Sequence, residues 1–349
     1  MFKDIMIEDL LNFHDKENLV LIDVRSPSEY EDMTIPGSLN IPLFNDEERA
    51  EVGTLYKQVS VDAAKERGLE IVSAKLPNFI KQFKEIDGEK VIFCWRGGMR
   101  SKTSATVLEL MGIQSFRLHG GVKAYRQWVM EHLEALKISP KAYILNGCTG
   151  IGKTTILRRL KEKGHSTLDI EGIANHRGSI FGQIGLKPNN QKMFESLLVQ
   201  EIIQLQSSPY ILFEAESKRI GKIIIPDFVM EKKEQGTHLF IELPFEERVR
   251  HILEEYRPWN FHEDCLNAFK KIKKHIHTPI AHEIESSILS YNYETAIELL
   301  LEYYYDPKYV YTTRAYPEHQ RINITAKNID EAVHTIEQIL ISQSSTLRS

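Results

Sequence analysis

One short segment of the sequence combines a cysteine with arginines and glycines. Cys94 is followed by Arg96, Gly97, Gly98 and Arg100. The segment lies between the apolar run 91–93 and a predicted helix over 101–111, for which Ser101 is the expected cap. Backbone N–H groups in such a loop can turn inward around an anion, and the helix adds its positive end. The pattern predicts a reactive thiolate and an anionic substrate at Cys94. The alternative is an ordinary buried cysteine at a strand end.

A second glycine-rich segment, residues 147–154, matches the phosphate-loop pattern G-x-x-x-x-G-K-[ST] in full. Its candidate diphosphate-binding residues are Gly147, Thr149, Gly150, Gly152, Lys153, Thr154 and Thr155. The segment follows the apolar run 142–145 and precedes a predicted helix, which is the context that the motif requires. Lys153 would neutralise a diphosphate, and Thr154 would coordinate Mg²⁺ if that ion takes part. The motif indicates a diphosphate without identifying a nucleotide.

Three carboxylates are candidates for acid–base chemistry or for holding a metal-bound water near this loop. Glu214 and Glu216 follow the apolar run 211–213, and Asp169 follows the first helix of the second half. Solvated charges at a strand end are an equally open interpretation. The sequence has no cluster with metal-ligand spacing and no N-K-x-D motif of the kind that GTPases use. Nucleotide hydrolysis is therefore unsupported.

Alternating strands and helices must position both segments. Strands are predicted at 19–22, 91–93, 115–118, 142–145, 210–213, 239–243 and 321–324. Helices are predicted at 101–111, 122–136 and 330–341, and residues 246–305 read as mostly helical without a strand. The pattern breaks at Ile138-Ser139-Pro140. We therefore predict an α/β protein with parallel sheets and two domains, residues 1–137 and 138–349, the second carrying a helical insertion.

Composition restricts the class of protein. The chain has 349 residues, of which 42% are hydrophobic and 27% are charged, as in ordinary globular proteins of about two domains. Its three cysteines form no CxxC pair, which argues against a disulfide framework. No signal-peptide core or membrane-length apolar run occurs, so we expect a cytoplasmic protein without a membrane partner. The net charge of −5 means that any RNA partner requires a local basic patch.

Three motifs in the first half resemble the signatures of the rhodanese family. They are residues 21–30 with 35–42, the loop 94–101, and residues 118–125. The resemblance covers roughly residues 1–135 and implies that Cys94 carries sulfur or selenium as a persulfide or perselenide. Five residues separate Cys94 from Arg100, one more than is usual in sulfurtransferases. This spacing resembles rhodanese-related phosphatases and arsenate reductases, and it favours a larger anion such as a selenium-bearing phosphate over thiosulfate.

Two unusual strings in the second half, residues 176–182 and 213–221, extend the resemblance over essentially the whole chain. With the rhodanese-like domain in front, they closely resemble the tRNA 2-selenouridine synthases. That resemblance implies S-geranylation of wobble 2-thiouridine in tRNA with geranyl diphosphate, followed by displacement of the geranylated sulfur by selenium from selenophosphate. It places selenium at Cys94 and geranyl diphosphate at the phosphate loop. Both compounds are co-substrates, no tightly bound cofactor is expected, and a selenophosphate-supplying enzyme is a candidate partner.

A tRNA substrate requires basic and aromatic contacts. The candidates are His176, Arg177, Lys218, Arg219, Arg257, Lys270, Lys271, Lys273 and Lys274. Arg248 and Arg250 belong to the same basic stretch, and Trp259 and Phe261 could stack on bases. Ile180, Phe181 and Phe228 are candidates for an apolar slot for the geranyl chain, and Cys265 is interpreted as structural. Internal salt bridges, a solvated helical face and ordinary core packing are the alternatives.

Two other functions stay open from the sequence alone. One is a rhodanese-type sulfurtransferase or anion reductase fused to a small-molecule kinase, which would turn over ATP without RNA. The other is a regulatory anion sensor or scaffold without catalysis. The intact cysteine and arginines of the first loop argue against the scaffold, because binding alone has no chemical need for a thiol.

Overall fold

Two five-stranded parallel sheets organise the chain, each with helices packed around it. The computed structural model describes residues 2–13, 18–309 and 316–346. The chain divides into two compact units, one formed by Met1–Ala135 with Glu195–Val199 and the other by Leu136–Phe194 with Gln200–Ser349. Both units have the predicted α/β architecture.

The sheet of the first unit has the strand order β1-β5-β4-β2-β3, with every neighbouring pair parallel. Its strands are β1 (Lys3–Ile5), β2 (Leu19–Asp23), β3 (Leu39–Asn40), β4 (Glu89–Phe93) and β5 (Ser115–Leu118). The central strands β2 and β4 are nearly continuous apolar runs, as expected for strands that helices cover on both faces. Ile22 and Ile92 are paired across these two strands, and both are fully buried.

The helices of the first unit are α1 (Ile7–Phe13), α2 (Pro27–Asp32), α3 (Asp46–Gln58), α4 (Val61–Lys84), α5 (Met99–Leu110) and α6 (Gly121–Ala135). The sequence analysis did not predict α3 or α4. It was also wrong about the start of α5, which is capped by Gly98 and not by Ser101. Ser101 is buried inside the first turn and its hydroxyl donates to the Gly98 carbonyl, 3.2 Å away.

The sheet of the second unit has the order β12-β11-β6-β8-β7 and is also entirely parallel. Its strands are β6 (Lys141–Asn146), β7 (Thr167–Leu168), β8 (Tyr210–Glu214), β11 (Thr237–Glu242) and β12 (Arg321–Thr325). Between β8 and β11 the chain forms a small antiparallel hairpin, β9 (Arg219–Ile220) with β10 (Ile223–Ile224). The carboxyl ends of β6 and β8, where an α/β sheet binds ligands, carry the phosphate loop and Glu214.

Outside the insertion, the helices after β6 are α7 (Lys153–Glu162), α8 (Ile170–Ala174), α9 (Gln191–Leu205), α10 (Asp227–Gln235) and α16 (Ile329–Thr346). The insertion between β11 and β12 contains α11 (Phe245–Tyr256), α12 (His262–Ile272), α13 (Thr278–Leu289), α14 (Tyr293–Leu300), a π-helical turn (Leu301–Tyr305) and α15 (Asp306–Tyr309). It encloses an apolar core of its own that includes Phe269 and Ile284. As predicted, residues 246–305 are mostly helical and contain no strand. None of the described helices combines the length and the apolar character that a membrane span requires.

Candidate functional site

The loop after β4 holds the Cys94 side chain at its base. Cys94 is only 3% exposed, and its Sγ lies 3.2 Å from the Ser101 hydroxyl. Behind the loop, Val122 donates its backbone N–H to the Cys94 carbonyl over 3.0 Å. Gly121 allows this approach because a Cβ there would lie 2.0 Å from the same carbonyl oxygen. The third rhodanese-like motif therefore packs against the backbone of Cys94 and supports the cysteine loop.

Arg100, in the first turn of α5, is held by a carboxylate. Its guanidinium forms two hydrogen bonds with Glu29, and each side chain is 20% exposed. Burial alone would raise the pKa of Glu29, but the hydrogen bonds and charge of Arg100 bring it below its ordinary value. Sequence reasoning did not single out Glu29, although the residue lies inside the first rhodanese-like motif. The pair fixes the guanidinium beside the loop and offsets part of its charge until an anion competes for it.

The other arginine of the loop has a different environment. Arg96 is exposed and forms no hydrogen bond or ion pair with any residue that the structure describes. The neighbouring Trp95 is 41% exposed, and the guanidinium of Arg25 lies 5.9 Å from its ring centroid. Arg25 itself is buried and bound to Asp23. The Arg96 side chain is therefore available to an incoming anion.

The phosphate loop after β6 is fixed from the side of the helical insertion. Arg248 donates from Nε to the Thr149 carbonyl over 2.9 Å, and its other guanidinium nitrogens pair with Asp306. Arg248 is 7% exposed. The prediction that it belongs to a tRNA-facing surface is therefore wrong, because α11 turns this side chain toward the loop. Arg248 is a residue that holds the phosphate loop in place.

Carboxylates converge on Thr154 at the start of α7. The Thr154 hydroxyl donates to Glu171 over 2.6 Å, and the backbone N–H of Glu171 donates to Glu214 over 2.8 Å. Asp169 caps α8 through the N–H of Gly172. Sequence reasoning missed Glu171, for which the only signal is its place two residues after Asp169. The Thr154 hydroxyl and the Glu171 carboxylate are therefore in direct contact at the end of the phosphate loop.

Burial changes the protonation of these acids. It raises the pKa of Glu171 to about 8, with a further contribution from the negative charge of Glu216. Burial also raises the pKa values of Asp169, Glu214 and Glu216, while Lys153 opposes the shift at Glu216. Among the described residues, no group of three or more His, Cys, Asp or Glu side chains is arranged to hold a metal ion. The carboxyl of Glu171 is thus poised to exchange a proton near neutral pH.

The two unusual strings of the second half contact each other beside this cluster. A Cβ on Gly178 would lie 2.4 Å from an oxygen of Glu171 and 3.0 Å from one of Glu216. A Cβ on Gly221 would lie 3.0 Å from the His176 ring. His176 is buried, which lowers its pKa, and its Nδ1 accepts a hydrogen bond from the Gly178 N–H. The two strings therefore lie together beside Glu171, and the first of them contributes His176 and Arg177 to the space next to Thr154.

A polar cavity of about 640 Å³ opens beside the start of α7. The predicted site residues in its lining are Thr154, Thr155, His176, Arg177 and Arg257. Glu171 and Phe261 also line it. Arg177 is bound to Glu255 at 3.2 Å and lies over the ring of Tyr256. The cavity is large enough for a diphosphate together with part of a second substrate.

Other predicted contacts lie away from this cavity. Lys218 is paired with Asp227, and Arg219 is exposed on the hairpin. Lys270, Lys271 and Lys274 are exposed, whereas Lys273 is bound to Glu285 at 2.6 Å. Trp259 is 53% exposed. Cys265 is buried, which raises its pKa to about 11 and keeps it a thiol.

Comparison with other proteins places each unit in a family. A model of the rhodanese-like domain matches residues 6–127, and a model of the tRNA 2-selenouridine synthase AAA domain matches residues 140–278. The tRNA 2-selenouridine synthase of Sulfurovum sp. is 33% identical over 328 residues, which cover 84% of this chain and 88% of that protein. The synthase of Bdellovibrio bacteriovorus is 35% identical over 262 residues, covering 73% and 68%. A solved N-terminal domain of a putative ATP/GTP binding protein from Clostridium difficile is 38% identical and covers 37% of this chain and 99% of that one, with a TM-score of 0.34.

Proposed function

Because the chain belongs to the tRNA 2-selenouridine synthase family, we propose that it converts wobble 2-thiouridine in tRNA to 2-selenouridine. The reaction has two steps. Geranyl diphosphate first alkylates the sulfur, and selenium from selenophosphate then replaces the alkylated sulfur. The observation that carries this proposal is the presence, in one chain of this family, of two glycine-rich loops after parallel strands. The first begins at the buried Cys94, and the second carries the phosphate-loop residues Lys153 and Thr154.

The phosphate loop serves the geranyl transfer. The uridine sulfur attacks C1 of geranyl diphosphate, the C–O bond breaks, and diphosphate leaves while the uridine N3 proton passes to a base. Lys153 and the backbone N–H groups stabilise the negative charge that develops on the diphosphate. Glu171 is the base that we propose, since burial raises the pKa of this carboxyl to about 8. Thr154 is the residue that would hold a Mg²⁺ accompanying the diphosphate, and such an ion would neutralise part of the diphosphate charge.

The Cys94 loop serves the selenium step. Selenium in selenophosphate is at the oxidation level of selenide, so a perselenide on Cys94 would need an oxidant that the reaction does not supply. Attack by the Cys94 thiolate on phosphorus requires none: the S–P bond forms, the P–Se bond breaks and selenide leaves. Selenide then adds to C2 of the geranylated uridine, the C2–S bond breaks and geranylthiol leaves. Water finally hydrolyses the phosphocysteine.

The long loop supports this role for Cys94. Five residues separate Cys94 from Arg100, the spacing that resembles rhodanese-related phosphatases. Arg96 is exposed and Arg100 is poised beside the cysteine, so both can bind the phosphate oxygens.

The deciding experiment is mass spectrometry of nucleosides from 2-thiouridine-containing tRNA incubated with the protein. Geranyl diphosphate is added first and selenophosphate second. We expect S-geranyl-2-thiouridine and then 2-selenouridine. If neither forms while ATP is consumed or thiosulfate is turned over, the fused sulfurtransferase–kinase replaces this proposal. Selenophosphate labelled in its phosphate group tests the second step separately, because label on Cys94 is expected under acid quench and a perselenide would leave none.

A further inference from the structure

The helical insertion contains a second cavity that differs sharply from the polar one. It measures about 70 Å³, and most of the side chains around it are apolar. Ile288, Ala296, Ile297 and Leu300 line it from α13 and α14. Cys265 and Phe181 close it from α12 and from the first of the two unusual strings. An apolar cavity of this kind excludes water and accepts hydrocarbon.

This apolar cavity adjoins the phosphate loop. Thr149 of the loop is part of its lining, and Tyr256 lines both this cavity and the polar one. Ile252, another lining residue, packs directly on the loop, because its Cδ1 lies 2.8 Å from the position of a Cβ on Gly150. A molecule held by its diphosphate at the loop thus has an apolar space within reach of its other end.

We propose that this cavity binds the isoprenoid chain of the diphosphate substrate, with the far end of the chain among α11, α13 and α14. The inference rests on the proposed function and names the residues that recognise the hydrocarbon part of its first substrate. One water-sized group needs about 10–15 Å³ of such a cavity. The volume of about 70 Å³ therefore accepts about half of a ten-carbon chain, which is the isoprene unit distant from the diphosphate.

The location differs from the slot suggested by the sequence. Phe181 lines the cavity, but Ile180 and Phe228 do not. Ile180 is 38% exposed, and Phe228 lies on α10, outside the insertion. Most of the recognition comes instead from α11–α14, which explains why the phosphate-loop unit carries a helical insertion with a core of its own.

Direct binding to the full-length protein tests the inference. Calorimetry compares geranyl diphosphate, dimethylallyl diphosphate and inorganic pyrophosphate. The variants are Ile297→Ser, which makes the wall polar, and Ile297→Phe, which fills the cavity. Leu299→Ser is the matched control, because Leu299 lies on the same helix, is half-buried and packs against the insertion core without lining the cavity. Thermal unfolding of all three variants monitors folding.

We expect the wild type to bind geranyl diphosphate at least tenfold more tightly than dimethylallyl diphosphate, since only the longer chain reaches the cavity. Both Ile297 variants should weaken geranyl diphosphate about tenfold and leave inorganic pyrophosphate within twofold. Leu299→Ser should retain the wild-type preference.

The outcomes separate the inference from the proposed function. If the wild type prefers geranyl diphosphate and geranylates tRNA, but both Ile297 variants behave like Leu299→Ser, the cavity assignment is wrong and the function stands. If the wild type binds geranyl diphosphate no better than inorganic pyrophosphate and makes no geranylated product, the geranyl step of the proposed function fails, and the cavity assignment fails with it.

Discussion

The loop after β4 and the loop after β6 are built on the same plan but carry different side chains. Each connects a buried parallel strand to a helix, and a loop of this kind can turn its backbone N–H groups toward an anion. The first has a buried cysteine at its base and an arginine held by Glu29. The second has Lys153 and Thr154, with Thr154 bound to Glu171. Its own cysteine, Cys148, has a pKa raised by burial.

The difference shows how the same strand–loop–helix backbone can support either nucleophilic attack or the stabilisation of a leaving group. A cradle with a nucleophile at its base can form a bond to the anion that it binds. A cradle without one can only stabilise the anion as a leaving group. The acids beside the second loop add a means of moving a proton, whereas the carboxylate beside the first is committed to an arginine. If the two loops have these different roles, substitutions in one loop should affect one reaction step and leave the other unchanged.

We expect the largest effect from a substitution that removes the nucleophile of the first loop. Cys94→Ser should abolish selenium incorporation, by more than about 10³-fold, because a serine hydroxyl at this site is not ionised. Serine occupies nearly the same space beside Ser101, so geranylation by the same variant should stay within twofold and serves as the internal control. Nucleoside mass spectrometry measures both products. Loss of both activities, with the fold intact, would break the division between the loops.

The next largest effect is expected from removing the positive charge of Lys153 in the phosphate loop. Lys153→Ala should slow geranyl transfer about 10²–10³-fold, since the charge developing on diphosphate loses its main counter-charge. Selenium incorporation into tRNA that is already geranylated should stay within twofold. The control is Lys161→Ala, an exposed lysine on the same helix, 59% exposed. Equal loss in both steps would mean that the phosphate loop also serves the selenium reaction.

The third prediction concerns pH and the acids of the second unit. The pKa of Glu171 in the folded protein is about 8, above its ordinary value of 4.5. Between pH 5.5 and 7.5 the folded state keeps a proton that the unfolded state has lost, so stability falls as pH rises, by ~3 kcal/mol over this range. Glu171→Gln should remove the part of the decline that Glu171 contributes, while the neighbouring acids with raised pKa values keep theirs.

Denaturant unfolding from pH 5 to pH 9 measures the difference between the wild type and Glu171→Gln. Glu263→Gln, which changes an exposed carboxylate on α12, should follow the wild type throughout. Parallel curves for the wild type and Glu171→Gln would show that Glu171 is ionised in the folded protein. They would also remove it as the base of the geranyl step.

A smaller effect is expected from breaking the ion pair between Glu29 and Arg100 beside the first loop. Glu29→Gln should lower stability by about 2 kcal/mol, because it leaves the largely buried Arg100 guanidinium without its counter-charge. The matched control, Glu51→Gln, breaks an exposed pair with Arg67 and should leave stability almost unchanged, because solvent screens that pair. If both variants cost the same, Arg100 is held by solvent and backbone, and Glu29 is dispensable to the cradle.

The smallest effect concerns tRNA, the substrate on which we propose that both loops act. Replacing Lys270, Lys271 and Lys274 together with alanine should weaken tRNA binding about threefold to tenfold at 0.1 M salt and flatten its salt dependence. A triple variant of the exposed Lys65, Lys81 and Lys84 makes the same change in net charge and is the control. Filter binding at several salt concentrations measures both. Equal losses would assign the effect to net charge alone.

The local sequence pattern was sufficient to predict the Cys94 loop and the phosphate loop, but not the distant residues that hold their side chains in place. The strand, the glycines and the helix start of each loop are adjacent in sequence, so motif and context could be read together. Glu29 is 71 residues from Arg100, and Asp306 is 58 residues from Arg248. Nothing in the sequence links these pairs, because they meet only when elements pack. Arg248 was misassigned for the same reason: a run of basic residues does not show which side chain its helix turns inward.

The sequence by itself determined the α/β class, the order of the two units, the cysteine loop, the phosphate loop and the family resemblance. These follow from short-range features, since glycine positions and apolar runs constrain the backbone locally. Tertiary structure alone decided that Glu171 contacts Thr154, that Gly178 and Gly221 bring the two unusual strings together, and that α11–α14 enclose an apolar cavity beside the loop. Burial, which raises the pKa of Glu171, and cavity shape depend on residues far apart in the chain, so only packing can create them.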